Sequence, residues 1–157
     1  MLQNKPQSCV LPLSKFDAIA SLCKNLSILG SVIEVGVWKG GMGAHLLETM
    51  PSRTLYLADT YSGVPYKCSK DSGCHVVGSF SDVNVDEVRS YFRPFPNVLI
   101  LQGIFPDDFI AYPFIEPFAV VHLDCDMYKS YADSLEFLFP RTVAGGIVFL
   151  DDYNVAS

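Results

Sequence analysis

Residues 118–153 read FAVVHLDCDMYKSYADSLEFLFPRTVAGGIVFLDDY, and the order of elements in this stretch decides the fold. Phe118 to Leu123 is a short, nearly unbroken apolar run, which suits a strand buried on both faces of a parallel sheet. It ends at Asp124, with Asp126 close behind. From Lys129 the apolar residues Tyr131, Leu135, Leu138 and Phe139 recur at the spacing of one helix face, and Pro140 marks the end of that helix. Gly145 and Gly146 then read as a turn into a second apolar strand, Ile147 to Leu150, which stops at Asp151 and Asp152. A strand, a crossover helix and a second strand joined this way point in the same direction. Asp124, Asp126, Asp151 and Asp152 are therefore expected at one carboxyl edge of the sheet, where open α/β sheets bind ligands.

Like charges crowded into one cleft repel, so such an edge either binds protons or holds a cation. An oxygen-only donor set favours Mg²⁺ or Ca²⁺ over zinc. Taken singly, the aspartates have plainer readings: Asp126 as the cap of the following helix, Asp151 and Asp152 as solvated loop residues. Taken together, two chain-distant acidic pairs ending neighbouring strands read as a cation site. Adjacent residues of a strand point to opposite faces, so Asp151 and Asp152 can share an ion only if the strand has ended before them.

The whole chain of 157 residues is half hydrophobic, which fits one folded domain rather than a disordered segment. Eleven Lys and Arg against seventeen Asp and Glu give a net charge of −6, and the basic residues are scattered. That balance argues against nucleic acid or an anionic membrane as a partner. No apolar run approaches the ~20 residues that span a bilayer. The N-terminal MLQNKPQSCVLPLSK lacks a basic region followed by a continuous apolar core, so the expected compartment is the cytoplasm. Five cysteines, Cys9, Cys23, Cys68, Cys74 and Cys125, contain no CxxC pair, and free thiols fit a reducing compartment. Cys68, Cys74 and His75 match no familiar zinc spacing.

Ahead of the deciding stretch the same alternation repeats. Ser14 with Asp17 resembles a capping box, Phe16, Ile19, Ala20, Cys23 and Leu26 recur at helical spacing, and Gly30 is expected to close that helix. Ser31 to Val35 is a buried strand running into the glycine turn GVWKGGMG, with a helical segment from Ala44 to Met50. A strand, a glycine turn and a helix N-terminus let backbone approach a ligand closely. The turn is not GxGxxG, which disfavours a nicotinamide enzyme. Thr54 to Ala58 forms the next strand, and Asp59 at its end either starts a turn or is placed to accept hydrogen bonds from ribose hydroxyls. Tyr61 to Ser81 is a long connection of the kind that forms binding loops. A helix capped by Asn84 and Glu87 ends before Pro94, Asn97 to Leu101 is the third strand, and Pro106 to Ile110 makes a helical turn. His122, inside its apolar run, reads as a hydrogen-bonded core histidine. Trp38 and Tyr128 read as core aromatics and Lys39 as a solvated turn residue. Five strands with helical or loop crossovers predict a doubly wound sheet of order 3-2-1-4-5.

With Glu34-Val-Gly-Val-Trp-Lys-Gly-Gly, Asp59-Thr-Tyr-Ser-Gly-Val-Pro, His122-Leu-Asp-Cys-Asp-Met-Tyr-Lys-Ser and Leu150-Asp-Asp-Tyr in this order, the chain resembles the macrocin O-methyltransferase family. The resemblance implies a Rossmann-like class I methyltransferase fold that uses S-adenosylmethionine (SAM) and Mg²⁺ to methylate a hydroxyl of a sugar or another polyhydroxylated small molecule. Carried over residue by residue, it implies that Glu34, Gly36, Gly40 and Gly41 shape the pocket for the methionine part of SAM. Asp59 would hold the ribose, with Ser62 nearby. Asp124, Asp151 and Asp152 would be the Mg²⁺ ligands and Asp126 the general base. Members of this family usually add two strands after the Asp-Asp-Tyr motif. Without them, the last strand would be an exposed edge, to be covered by a partner subunit as in a homo-oligomer, or else the sequence is a fragment of a longer one. A non-catalytic SAM-binding or assembly module of the same fold is the alternative reading.

Overall fold

The computed structural model describes residues 13–71, 75–114 and 117–153. Cys9 and Cys74 lie outside them, as does Gly73 of the long connection. In chain order the elements are α1 (Leu13–Lys24), β1 (Ser31–Val35), α2 (Gly41–Thr49), β2 (Leu55–Asp59), α3 (Val85–Phe92), β3 (Val98–Gln102), β4 (Phe118–Leu123), α4 (Tyr128–Leu138) and β5 (Thr142–Leu150). Short 3₁₀ turns at Asp107–Phe109 and Phe139–Arg141 complete the described elements. The five strands form one parallel sheet in the order β3-β2-β1-β4-β5, as the sequence predicts. Every residue of β1 and β4 is buried, which is why these strands read as apolar runs without alternation.

Side chains of successive strand residues alternate between two cores. Val32, Leu55, Leu57 and Val120 pack with Phe16 and Ile19 of α1, Met42 and Leu46 of α2, and Val88 and Phe92 of α3. Ile33, Val35, Tyr56, Ala58, Val121 and Leu123 pack on the other side with Phe105, Phe109 and Leu138. Glu34 and His122 share the parity of Val32 and Val120, so they point to the side of α1, α2 and α3. They are register neighbours across the β1–β4 pair. Their two buried polar side chains therefore stand next to each other inside an apolar layer.

Two expectations from sequence fail, each through a contact that is not local. The first helix stops at Lys24 and not at Gly30. The chain beyond it is held by the Arg53 guanidinium, which donates to the carbonyls of Leu26, Ile28 and Gly30 at 3.0, 2.7 and 2.8 Å. Gly145 and Gly146 form no turn ahead of a strand, because β5 already begins at Thr142. Its register with β4 pairs Phe118 with Thr142 and then Val120 with Ile147, so β5 bulges between them. Gly145 sits in that bulge at φ 84°, a left-handed conformation that a residue with a Cβ rarely adopts.

Candidate functional site

β1, β4 and β5 all end at one edge, and the ladder continues one bond beyond them. The Asp124 N–H donates to the Val35 carbonyl and the Asp151 N–H to the Leu123 carbonyl, both at 2.9 Å. These bonds fix the acidic residues against their neighbours. Gly36 is needed here for close approach: a Cβ on it would lie 1.8 Å from the Asp124 carbonyl oxygen. Because β5 stops at Leu150, Asp151 and Asp152 are free of strand alternation and turn the same way. One carboxylate oxygen each from Asp124, Asp151 and Asp152 lies within 4.8 Å of the others. Burial, followed by the Asp151 charge, pushes the Asp124 carboxyl up to about 8. Lys15 of α1 reaches this edge, its ammonium 2.5 Å from Asp151 Oδ1 and donating to the Asp151 carbonyl at 3.1 Å. Tyr131 of α4 donates its hydroxyl to Asp152 Oδ2 at 2.8 Å and to the Leu123 carbonyl at 3.0 Å.

On the other side of the edge the glycine turn is pinned by Asp59. Its Oδ2 accepts from the N–H groups of Val37 and Trp38 at 2.6 and 2.8 Å, and its Oδ1 accepts from the Tyr61 N–H at 2.7 Å. Trp38 takes a left-handed φ of 48° in this turn. Its indole N–H and the Lys39 ammonium both donate to Asp82, at 2.9 and 2.6 Å. Lys39 is thus a paired turn residue. Glu34 is 1% exposed, and its Oε2 has no hydrogen-bond partner among the described residues. Burial holds its carboxyl above the usual range.

The connection between Asp59 and α3 folds over the start of α4. Asp71 Oδ1 accepts from the Tyr128 N–H at 2.7 Å, the Tyr66 and Ser130 hydroxyls are 3.2 Å apart, and the Lys70 ammonium lies 4.3 Å from the centre of the Tyr128 ring. Asp126 therefore does not cap α4. The residue at the cap position is Met127, which makes no side-chain capping bond, and the donor at the helix start is met by Asp71. Released from capping, Asp126 adopts φ 59° and lies with Oδ1 3.4 Å from His75 Nε2. Burial, then the Asp152 charge, pushes its carboxyl up to about 6. Tyr128 is half exposed and not a core aromatic.

These parts enclose one cavity of about 370 Å³. Glu34, Gly36, Asp59, Asp124, Asp126, Asp151 and Asp152 line it, with Lys15, Trp38, Tyr66 and His75. Gly40, Gly41 and Ser62 stand outside the lining: Gly40 precedes α2 against the Phe92 ring, Gly41 opens α2, and Ser62 is exposed. Lys15, His75 and the reach of the Tyr131 hydroxyl to Asp152 carried no sequence signal for this site, since each comes to it from an element packed by distant parts of the chain. His122 is a core histidine, 0% exposed, but neither ring nitrogen makes a hydrogen bond to a described residue. Nδ1 is 3.5 Å from Glu34 Oε1 and Nε2 is 4.0 Å from Asp151 Oδ1. Cys23, Cys68 and Cys125 are free thiols.

The doubly wound sheet with its ligand cavity at the carboxyl edge is the architecture of a methyltransferase fold. It superposes on the crystal structure of the calicheamicin methyltransferase CalS11 with a TM-score of 0.72 over 90% of this chain and 64% of that one, at 19% identity. At the level of sequence the match is more specific. The chain belongs to the macrocin-O-methyltransferase (TylF) family, whose profile matches residues 12–157. It is 32% identical over 142 residues to demethyldecarbamoylnovobiocin O-methyltransferase of Streptomyces niveus, covering 81% of this chain and 54% of that protein. It is 30% identical over 141 residues to 8-demethyl-8-(2,3-dimethoxy-alpha-L-rhamnosyl)-tetracenomycin-C 4'-O-methyltransferase of Streptomyces olivaceus, covering 80% and 54%. The chain thus spans about half the length of these curated relatives. Among the described residues no helix is long and apolar enough to cross a membrane.

Proposed function

We propose that this chain carries the cofactor and metal half-sites of a SAM- and Mg²⁺-dependent O-methyltransferase acting on a hydroxyl of a sugar or a similar polyhydroxylated small molecule. One observation carries this reading: a single cavity joins the glycine-turn side, with Glu34 and Asp59, to the acidic side, with Asp124, Asp126, Asp151 and Asp152. The residues fit both groups. The unpartnered, buried Glu34 Oε2 at the cavity wall suits a cationic amino-acid head. Three converging carboxylates, grouped with no sulfur or nitrogen donor among the described residues, suit a hard divalent ion, and burial followed by the Asp151 charge raises the Asp124 carboxyl, a cost that such an ion would offset. When bound, SAM supplies an electrophilic methyl carbon and Mg²⁺ a Lewis acid that orients and acidifies a hydroxyl.

The chain's own residues then have separate tasks. Glu34 and the Asp59-pinned turn place the cofactor, and Asp124, Asp151 and Asp152 hold the ion. With the methyl group supplied by bound SAM and the carbon–sulfur electron pair left on its sulfur, the acceptor hydroxyl's proton is what the chain must remove. Asp126 takes the proton of that hydroxyl at a carboxylate oxygen. Its partly buried position keeps a carboxylate basic enough for this task, and His75 lies beside it. The relatives named above are called O-methyltransferases of demethyldecarbamoylnovobiocin and of a rhamnosyl-tetracenomycin, and the rhamnosyl acceptor of the second is the basis for the acceptor class.

The test is calorimetric titration with SAM and with S-adenosylhomocysteine, each with Mg²⁺ and with EDTA, followed by product release over a panel of sugar-bearing acceptors. Cofactor binding with multiple turnovers supports the reading. Cofactor binding without turnover on any acceptor supports a non-catalytic module, and no binding at all overturns both.

A further inference from the structure

Between the two half-sites lies a buried side chain that the proposed mechanism does not use. His122 of β4 stands beside Glu34 of β1 in register and faces Asp151 at the end of β5. The imidazole and the Glu34 side chain are 0% and 2% exposed and the Asp151 side chain is 5% exposed. Both ring nitrogens are without a hydrogen bond to any described residue. Nδ1 is within ion-pair range of Glu34 Oε1 at 3.5 Å and Nε2 of Asp151 Oδ1 at 4.0 Å, both longer than an ordinary hydrogen bond. Buried polar atoms are rarely left in this state, so a fully buried ring held just short of two carboxylates has a place to move. A sub-ångström shift toward either carboxylate closes one bond and opens the other gap. The other charged groups near Asp151 are Lys15, at 2.5 Å, and the acidic neighbours Asp124 and Asp152.

We propose that His122 is a positioning residue that couples the cofactor pocket to the acidic cluster. The inference rests on the functional reading above, and it adds a cooperativity that the reading does not require. An ion held by Asp151 would remove that carboxylate as a competing acceptor for the ring, so that the ring would settle against Glu34 Oε1 and fix that side chain with Oε2 toward the cavity. Metal and cofactor then favour the same arrangement, and each strengthens the binding of the other by the same factor, as linkage demands. The chain Glu34–His122–Asp151 is contiguous, and coupling between the sites requires that it take two arrangements, the ring against Glu34 or against Asp151.

The probes are Mg²⁺ and S-adenosylhomocysteine, whose neutral sulfur removes direct repulsion from the ion. Calorimetry in Mg²⁺ and in EDTA gives the coupling factor without any turnover. The expected wild-type factor is at least roughly 5-fold in favour of Mg²⁺, the lower end of common allosteric couplings. In His122→Leu the factor falls to about one, and His122→Gln, which keeps one N–H, recovers part of it. Circular dichroism and a melting curve check that each variant folds. If His122→Leu does not fold, Glu34→Ala removes the acceptor at the other end and must also abolish the factor while still binding Mg²⁺. A folded His122→Leu, or Glu34→Ala, that retains the full wild-type factor overturns the proposal. So does a wild-type factor near one. That last outcome leaves the functional reading intact, whereas a wild-type protein that binds no S-adenosylhomocysteine fails both.

Discussion

Asp59 shows how one side chain can serve the fold and the ligand together. Its carboxylate accepts three backbone N–H bonds, from Val37, Trp38 and Tyr61, in two separate turns. A carboxylate has about four acceptor positions, so a ribose hydroxyl would share Asp59 with the turns it shapes. Asp59→Ala is therefore expected to lower the stability of the ligand-free protein by about 2 kcal/mol, since partly buried donors lose their partner, as well as weakening SAM binding. Urea unfolding with unchanged m value measures it, and unchanged ligand-free stability would restrict Asp59 to the cofactor. Asp126 is the opposite case. Its φ of 59° belongs to the region where Asn is as well tolerated as Asp, and its cap role is filled by Asp71, so Asp126→Asn should fold normally. Removing a general base costs roughly 10²- to 10⁴-fold in turnover. The expected result is that loss with S-adenosylhomocysteine affinity unchanged, and retained turnover would take the base role away from Asp126.

Among the elements, α4 depends on a residue far along the chain. Asp71 meets the Tyr128 N–H across 57 positions and also accepts from the Cys68 N–H, so one carboxylate orders a loop and starts a helix. Asp71→Ala should cost about 1 kcal/mol, the usual value of a lost cap, and should raise amide exchange at the start of α4 and in the Tyr66–Lys70 segment together. Exchange confined to one of the two would separate the functions. The same contact explains what could be read from sequence. β1, β2 and β4 are buried, largely apolar runs, β2 and β4 ending in acid and β1 in a glycine turn, and β3, at the sheet edge, is an apolar run too. Runs of that kind signal strands without outside help, so strand order and the convergence of Asp124, Asp151 and Asp152 were legible. The end of α1 was not, because Arg53 and not a local glycine signal holds the carbonyls after Lys24. Nor was the bulge at Gly145, since a paired glycine in a strand and a glycine turn look alike until the register with β4 is known. Lys15 and His75 reach the site through packing of α1 and of the long connection, and no short-range pattern encodes that approach.

At the scale of the whole molecule, the acidic edge sets function against stability. The termini of β1, β4 and β5 and the reach of Lys15 from α1 all meet there, so strain at that edge is shared by most of the sheet. Lys15 offsets part of the charge on Asp151, whereas Asp124 is held above the usual carboxylate range by burial first and by the Asp151 charge second. Burial and like-charge repulsion of this kind destabilise the metal-free fold and are retained where a site needs them. Asp124→Asn should accordingly melt higher than wild type when both are in EDTA, an unusual gain for a substitution in a candidate site. Mg²⁺ reverses the order. At an ion concentration of 100 times its dissociation constant, binding to the native state contributes about 2.7 kcal/mol, which for a chain of this size raises the melting temperature by roughly 5 to 10 °C. Wild type should show that rise and Asp124→Asn should lose most of it. Ionic strength must be matched with KCl, because general screening acts on the net charge of −6 in both proteins alike, whereas a specific ion acts only where the three carboxylates converge. An Asp124→Asn protein that melts lower in EDTA would mean that the cluster is already neutralised from within, by Lys15 and shared protons. Asp124 would then be a structural acid and not a metal ligand held in reserve.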